Sequence, residues 1–197
     1  DNKDLTFKPT IFDKNIFMFQ NEYRQQNKRS FFITDFNITD GYKSKKDNEE
    51  KTLIHLFSKF ESNLDFENFI ESSLNISIQK VNNDTYLKVF DSNIVDTDLK
   101  PENFDNLTSE IELDLEHEKF AFTTGFTAYE NLTKHNSDRY QFVLPHYNLS
   151  TNFFKNNNFG SFDFLSQGDN ILKDTNSLRS RMINNLNIQS YDFFSNN

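Results

Sequence analysis

Large apolar side chains occupy every second position over much of this chain, with polar side chains between them. In one run, aliphatic residues alternate with acids from Glu110 to Glu116. Successive side chains of a β-strand point to opposite faces, whereas an α-helix repeats its apolar positions every three or four residues. The pattern therefore predicts β-strands with one apolar and one polar face, and it indicates no helix of ordinary length.

The alternating runs are long. Several exceed about ten residues, and together they predict about ten strands joined by connections of alternating length. Strands of globular proteins are usually about 5–6 residues long, whereas a tilted membrane strand needs roughly 9–11. A soluble β-sandwich is the commoner fold, but the strand lengths favour an outer-membrane barrel.

We therefore expect an all-β fold, namely a curved antiparallel meander that is an open fragment of a large transmembrane β-barrel. Residues 1–197 are expected to be a single barrel domain, truncated at both ends because the chain opens and closes in mid-pattern. Apolar residues along the strands should lie on the convex, lipid-facing side, including Phe66, Ile70, Leu74, Leu113, Phe122 and Phe126.

Four segments refine this prediction. The longest regular alternation starts at Leu64 and continues to Ile78. Residues 41–50 are expected to form a charged loop, and residues 82–104 an irregular stretch with a helical turn near Tyr86. The parity of the apolar positions changes after Pro145. A proline is tolerated at a bulge, and a bulge adds one residue to a strand, so we expect a β-bulge there.

The composition limits the classes of protein to which the chain can belong. Only 35% of its residues are hydrophobic, yet 24 are Phe and 7 are Tyr, and disordered chains are poor in aromatic residues. The formal net charge of −9 argues against a nucleic-acid partner, which needs a basic surface. The lack of cysteine excludes disulfides, thiolate metal sites and cysteine nucleophiles.

No constellation of residues indicates catalysis. The histidines share no metal-ligand spacing, and no phosphate loop, nucleophile elbow or metalloprotease motif occurs in the sequence. We therefore predict a protein that is not an enzyme and that uses no cofactor or metal.

Two groups of charge mark the polar positions. The first is a row of acids on one strand, with neighbours about 7 Å apart: Glu110, Glu112, Asp114 and Glu116. Unpaired buried charge is very costly, so this row must face water or cations. The second group is Arg179 and Arg181. In a barrel, both groups should project into the lumen. The arginines would there neutralise acids across the lumen or bind a phosphorylated ligand.

Several short motifs resemble one known family. The opening Asp4-Leu-Thr-Phe-Lys-Pro9 and the run Phe17-Met-Phe-Gln-Asn-Glu-Tyr-Arg24 are similar to early barrel strands of LptD, the lipopolysaccharide-assembly, or organic-solvent-tolerance, family of outer-membrane proteins. Further landmarks follow in the same order at Asn83–Leu87, Tyr140–Tyr147 and Thr175–Leu186. Each motif is short, so the resemblance depends on their order, which spans nearly the whole chain.

That resemblance implies an outer-membrane protein that binds lipopolysaccharide and releases it to the outer leaflet through a seam between its first and last strands. Members of the family work with a lipoprotein plug and a periplasmic bridge. Pro9 matches a proline near the seam, where a missing backbone donor weakens strand pairing. The family's disulfide cysteines are absent from this sequence.

Lipopolysaccharide delivery is therefore the function expected from the resemblance. Two alternatives belong to other classes of protein. One is a porin or receptor-type barrel that passes small solutes, and the other is a soluble β-sandwich adhesin.

Overall fold

The computed structural model describes residues 2–44, 47–94, 97–156, 160–174 and 176–190, and strands dominate this part of the chain. The strands are β1 (Asn2–Ile11), β2 (Phe17–Gln26), β3 (Ser30–Ser44), β4 (Asp47–Asn63), β5 (Glu71–Val81), β6 (Asn106–His117), β7 (Phe120–Asn131), β8 (Tyr140–Asn156), β9 (Gly160–Lys173) and β10 (Ser177–Gln189). A short helix, α1 (Tyr86–Phe90), and two 3-10 turns, Asp91–Asn93 and Asn136–Arg139, lie in the connections.

The strands form one 10-stranded sheet in which sequence neighbours pair throughout, from β1 to β10. Every ladder is antiparallel. Within the described residues the sheet is open, because β1 and β10 each have one neighbour. A sandwich requires two sheets packed about 10 Å apart. The topology therefore confirms the predicted all-β meander and contradicts the β-sandwich alternative.

The register of the ladders divides the sheet into two faces. Paired residues of antiparallel strands point to the same side. Ile76 is opposite Ile111, which is opposite Phe126, and this row belongs to the apolar face. Asn75 is opposite Glu112, and this pair belongs to the polar face. Large side chains exposed on the apolar face include Phe7, Phe19, Leu56, Ile78, Ile111, Phe126, Met182 and Leu186.

The bulge predicted from Pro145 is confirmed. The pairing of β7 with β8 shifts between Gly125 and Thr127, and the pairing of β8 with β9 shifts between Val143 and His146. The shift restores the alternation of faces beyond the proline, so His146 lies on the polar face opposite Gly125.

Two predictions about individual segments are wrong. The expected charged loop at residues 41–50 is mostly strand, because the β3–β4 hairpin continues to Ser44 and resumes at Asp47, with Tyr42 opposite Lys51. An ion pair of 3.0 Å between Lys43 and Glu50 supports this extension. Charge alone did not mark a loop, because charges of opposite sign pair across the hairpin.

The second error concerns the regular alternation that starts at Leu64. Strand β5 begins only at Glu71, and Phe66 and Ile70 lie in the turn that precedes it. Four other residues predicted for the apolar face do lie on strands, and the register places them on that face: Leu74, Leu113, Phe122 and Phe126. Asp65 and Asn68 adopt positive φ angles of 55° and 74°, which end the extended backbone.

The stretch between β5 and β6 contains the predicted helical turn, and it folds back over the polar face. We call residues 82–94 and 97–104 the docked segment. Its apolar side chains join those of β2 to β5 in one buried cluster, which includes Tyr86, Leu87, Phe90, Ile94 and Leu99. None of the helices in the described part of the chain has the length and apolarity that a membrane crossing demands.

Candidate functional site: the polar face of the sheet

The row of acids lies on the polar face near the middle of the sheet, opposite small and neutral residues of β7. Glu110 is paired with Thr127, and Asp114 with Thr123, on β7. The Thr127 hydroxyl donates to Glu110 over 2.9 Å, and the Thr123 hydroxyl donates to Asp114 over 2.8 Å. The Asn75 amide donates to Asp114 over 3.4 Å. These contacts orient the carboxylates, and because the three donors are neutral they do not compensate the negative charge.

One imidazole joins the acids. The ligand atoms of Glu110, Glu112 and His146 all lie within 4.8 Å of one another, and this set of two carboxylates and one imidazole can hold a divalent cation. His146 Nε2 is 3.9 Å from Glu110 Oε1. Gly125 makes room for the ring, since a Cβ at this position would lie 2.8 Å from Nε2 and 2.5 Å from the Ile111 carbonyl oxygen. Sequence reasoning missed His146 because it is distant from the acids along the chain.

The arginine pair lies on the same face but far from the acid row. Arg181 is opposite Asp169 of β9 and contacts its carboxylate at 2.6 and 3.1 Å. Arg179 is opposite Ile171. Three strands separate β10 from β6, which corresponds to roughly 19 Å at about 4.8 Å per strand. The described structure thus pairs Arg181 with Asp169 and does not bring the arginines to Glu110, Glu112, Asp114 or Glu116.

Pro9 lies on β1 opposite Phe19, in a strand with one neighbour in the described sheet. Proline lacks a backbone N–H and is tolerated on such edge strands. The structure thus places Pro9 at an edge of the described sheet.

A buried polar cluster beneath the docked segment was not anticipated from the sequence. His55 is fully buried, and its Nδ1 lies 2.8 Å from the Tyr86 hydroxyl. Its Nε2 lies 3.2 Å from Asp35 Oδ1, out of line for a hydrogen bond. Burial, followed by the negative charge of Asp35, raises the pKa of Tyr86, so its hydroxyl stays protonated. The protonated phenol lies within hydrogen-bond distance of Nδ1, and the ring tautomer sets which of the two groups donates.

Several groups of this cluster are incompletely satisfied. Among the described residues, five buried side-chain atoms have no hydrogen-bond partner there: Gln20 Oε1, Asp35 Oδ1, Asp35 Oδ2, Asn37 Nδ2 and His55 Nε2. Each buried group without a partner costs about 1–3 kcal/mol. The alternation of β3 marks Asp35 and Asn37 as polar-face residues, but nothing in the sequence indicates that residues 82–94 return to cover them.

Ion pairs fix the start of the docked segment to the ends of the strands. Glu130 contacts Lys80 and Arg139, each at 2.7 Å, and Arg139 contacts Asp84 at 2.7 Å. The Tyr140 hydroxyl donates to Glu130 over 3.2 Å. Burial alone would lower the pKa of Arg139, but its bonds to Asp84 and Glu130 raise that pKa above its ordinary value.

Comparison with known proteins adds no family to this description. No protein-family model matches the chain, and no curated protein matches it significantly. The chemistry of the two faces and the order of the sequence motifs are therefore the features from which a function is inferred.

Proposed function

We propose that this chain forms part of the wall of an outer-membrane β-barrel that delivers lipopolysaccharide to the outer leaflet. One observation carries the membrane part of the proposal. A single sheet exposes large apolar side chains on one face and places the row of acids on the other. Lipid covers such an apolar face, and a hydrated lumen accepts such a polar one.

Three hydroxyl side chains on the apolar face support this placement, because each donates a hydrogen bond within the sheet. Thr34 donates to the Phe57 carbonyl over 3.3 Å, Ser58 to the Ile33 carbonyl over 3.3 Å, and Thr124 to the His146 carbonyl over 2.9 Å. In the hydrocarbon region no water is present to bond such groups, and an unsatisfied group costs several kcal/mol. The hydroxyls are therefore compatible with contact to lipid.

Aromatic rings gather at the end of the sheet that carries the β4–β5 and β6–β7 turns. The Phe69 ring lies 6.3 Å from Phe66, 5.9 Å from His117 and 6.1 Å from Phe120, measured between ring centroids. At the opposite end, Tyr140 stacks on Phe142 at 6.0 Å. Membrane barrels carry such aromatic residues at both interfaces with water.

Two features support lipopolysaccharide as the cargo. The ordered motifs resemble the LptD family along nearly the whole chain, including Pro9 on the edge strand. Arg179 and Arg181 lie together on the polar face, where guanidinium groups suit the phosphates of lipopolysaccharide. The lipoprotein plug and periplasmic bridge of that family are the partners that this proposal implies.

We expect that replacing both Arg179 and Arg181 by Ala in the full chain slows lipopolysaccharide delivery roughly tenfold or more. A hydrogen bond to a charged group contributes about 1.5–3 kcal/mol, and about 1.4 kcal/mol corresponds to tenfold. Delivery would be measured as the rate at which labelled lipopolysaccharide reaches the outer leaflet of vesicles that contain the assembled transport machinery.

The matched control replaces Asn185 and Asn187 by Ala, on the same face of the same strand. It should leave delivery unchanged, and both double variants should insert normally. Unchanged delivery by the arginine variant would contradict the role proposed for the pair and would leave Arg181 as a partner of Asp169 only.

The acid row favours a second candidate function, a porin-type barrel that passes small cations. Uncompensated carboxylates at Glu110, Glu112, Asp114 and Glu116 attract cations and repel phosphates. The two functions differ in planar bilayers, since a porin gives a steady cation-selective current and a lipopolysaccharide exporter does not require one. A current that loses its selectivity when the four acids are replaced by amides would favour the porin.

A further inference from the structure

The docked segment covers the polar face of the sheet over β2 to β5, where buried polar and apolar side chains lie together. We propose that it is a displaceable plug, which covers the polar face over β2 to β5 and swings away to expose it. The opening itself is inferred from contacts within the chain. Only its consequence, a wider lumen, depends on the proposed function.

Few polar contacts join the segment to the sheet. The Tyr86 hydroxyl meets His55 at 2.8 Å, the Gln79 amide donates to the Leu99 carbonyl over 3.3 Å, and the Gln20 amide donates to the Asn93 carbonyl. Apart from the polar contacts at its base, the other described interactions of the segment with the sheet are chiefly apolar, such as those of Leu87 and Phe90 with the buried cluster. Apolar packing is non-directional, so it can be broken and re-formed without a specific rearrangement of the sheet.

The surface beneath the segment combines buried apolar side chains, such as Leu53 and Phe57, with buried polar groups that lack hydrogen-bond partners. A permanently buried surface would carry apolar residues or fully bonded polar ones. Besides the apolar residues, Asp35, Asn37 and His55 lie there at 1%, 0% and 0% exposure, and each has a side-chain atom without a hydrogen-bond partner among the described residues. Opening would hydrate these groups and relieve the cost of burying them. Apolar packing therefore favours the covered state, and the buried polar groups without hydrogen bonds oppose it.

The segment is built to move as a unit about a fixed base. At the base, the Asn82 side chain accepts from the Ile54 amide over 2.8 Å and donates to the Thr52 carbonyl over 2.9 Å, and Asp84 binds Arg139. Beyond the base, α1 has five residues, and its N-cap Thr85 makes no side-chain capping bond. A helix this short is not stable by itself. Its order therefore depends on docking.

The chain lacks cysteine, so one introduced thiol reports on the opening. In the full chain, refolded in detergent micelles, Asn37→Cys would lie under the segment and Asn148→Cys on the uncovered part of the polar face. We expect a water-soluble maleimide to label position 37 more slowly than position 148. Below the unfolding transition, the labelling rate at position 37 should depend little on the urea concentration. Adding Leu87→Ala should speed labelling at position 37 about 30-fold, corresponding to roughly 2 kcal/mol at 1.36 kcal/mol per tenfold, and should leave position 148 unchanged.

The plug would be refuted if position 37 labelled only in proportion to global unfolding, with the full urea dependence of the sheet. That measurement needs only the single variant, so it holds even if Leu87→Ala does not fold. It is also independent of lipid contact. Labelling that shows local opening in a protein whose apolar face does not meet lipid would overturn the proposed function and leave the plug intact.

Discussion

Replacing Ile76 by Arg is expected to reduce the folded, inserted population by roughly 30- to 900-fold. Ile76 lies near the middle of β5 on the apolar face, between Phe60 of β4 and Ile111 of β6. An arginine on the lipid face near the bilayer midplane costs about 2–4 kcal/mol, and each 1.36 kcal/mol corresponds to tenfold. The measurement is the free energy of unfolding of the full chain in lipid vesicles, obtained from urea titration.

The adjacent residue provides the matched control. Asn75 lies on the polar face opposite Glu61 and Glu112, so Asn75→Arg places the same side chain between two acids. We expect it to be neutral or slightly stabilising. If both arginines destabilised the protein equally, the two faces would have the same environment, and the membrane proposal would fail.

Replacing Phe57 by Ala should lower the free energy of unfolding by about 3–5 kcal/mol, the range for a large aromatic side chain lost from a packed core. Phe57 is fully buried and stacks on the His55 ring at 4.4 Å. It lies on the polar face, where the buried cluster beneath the docked segment encloses it. The cavity would weaken docking first, so α1 amides should exchange with deuterium much faster than amides of β7.

Phe60→Ala is the control for this effect, because Phe60 lies on the apolar face of the same strand. Lipid can fill the space that this substitution leaves, so the loss should be markedly smaller and α1 should remain protected. Equal acceleration of α1 exchange by both variants would show that the segment does not depend on the core under it.

The alternation of apolar and polar residues predicted most of the fold because it has a direct structural cause. A strand exposes successive side chains on opposite faces, so the placement of Leu74, Leu113, Phe122 and Phe126 followed from their spacing. The bulge after Pro145 was predictable for the same reason. One inserted residue reverses the parity, and a proline is one of the few residues that favours such an insertion.

The unpredicted features depend on contacts between residues distant in the sequence. Alternation does not distinguish a strand from a turn that keeps the same spacing, so Phe66 and Ile70 were wrongly assigned to a strand. His146 lies near Glu110 because of the register in which β6, β7 and β8 pair, and the sequence does not show that register. The burial of Asp35 and His55 depends on the return of residues 82–94 over the sheet, which no periodicity records.

The central claim is that one face of this sheet meets lipid and the other meets water. Its most direct test is a scan of β6 from Glu110 to Leu115, with a single cysteine and a nitroxide label at each position of the full chain in vesicles. Collisions with oxygen report lipid, and collisions with a water-soluble nickel complex report water. We expect oxygen to dominate at positions 111, 113 and 115 and nickel at 110, 112 and 114. A scan without this alternation, or with nickel dominant at every position, would contradict the membrane-barrel proposal.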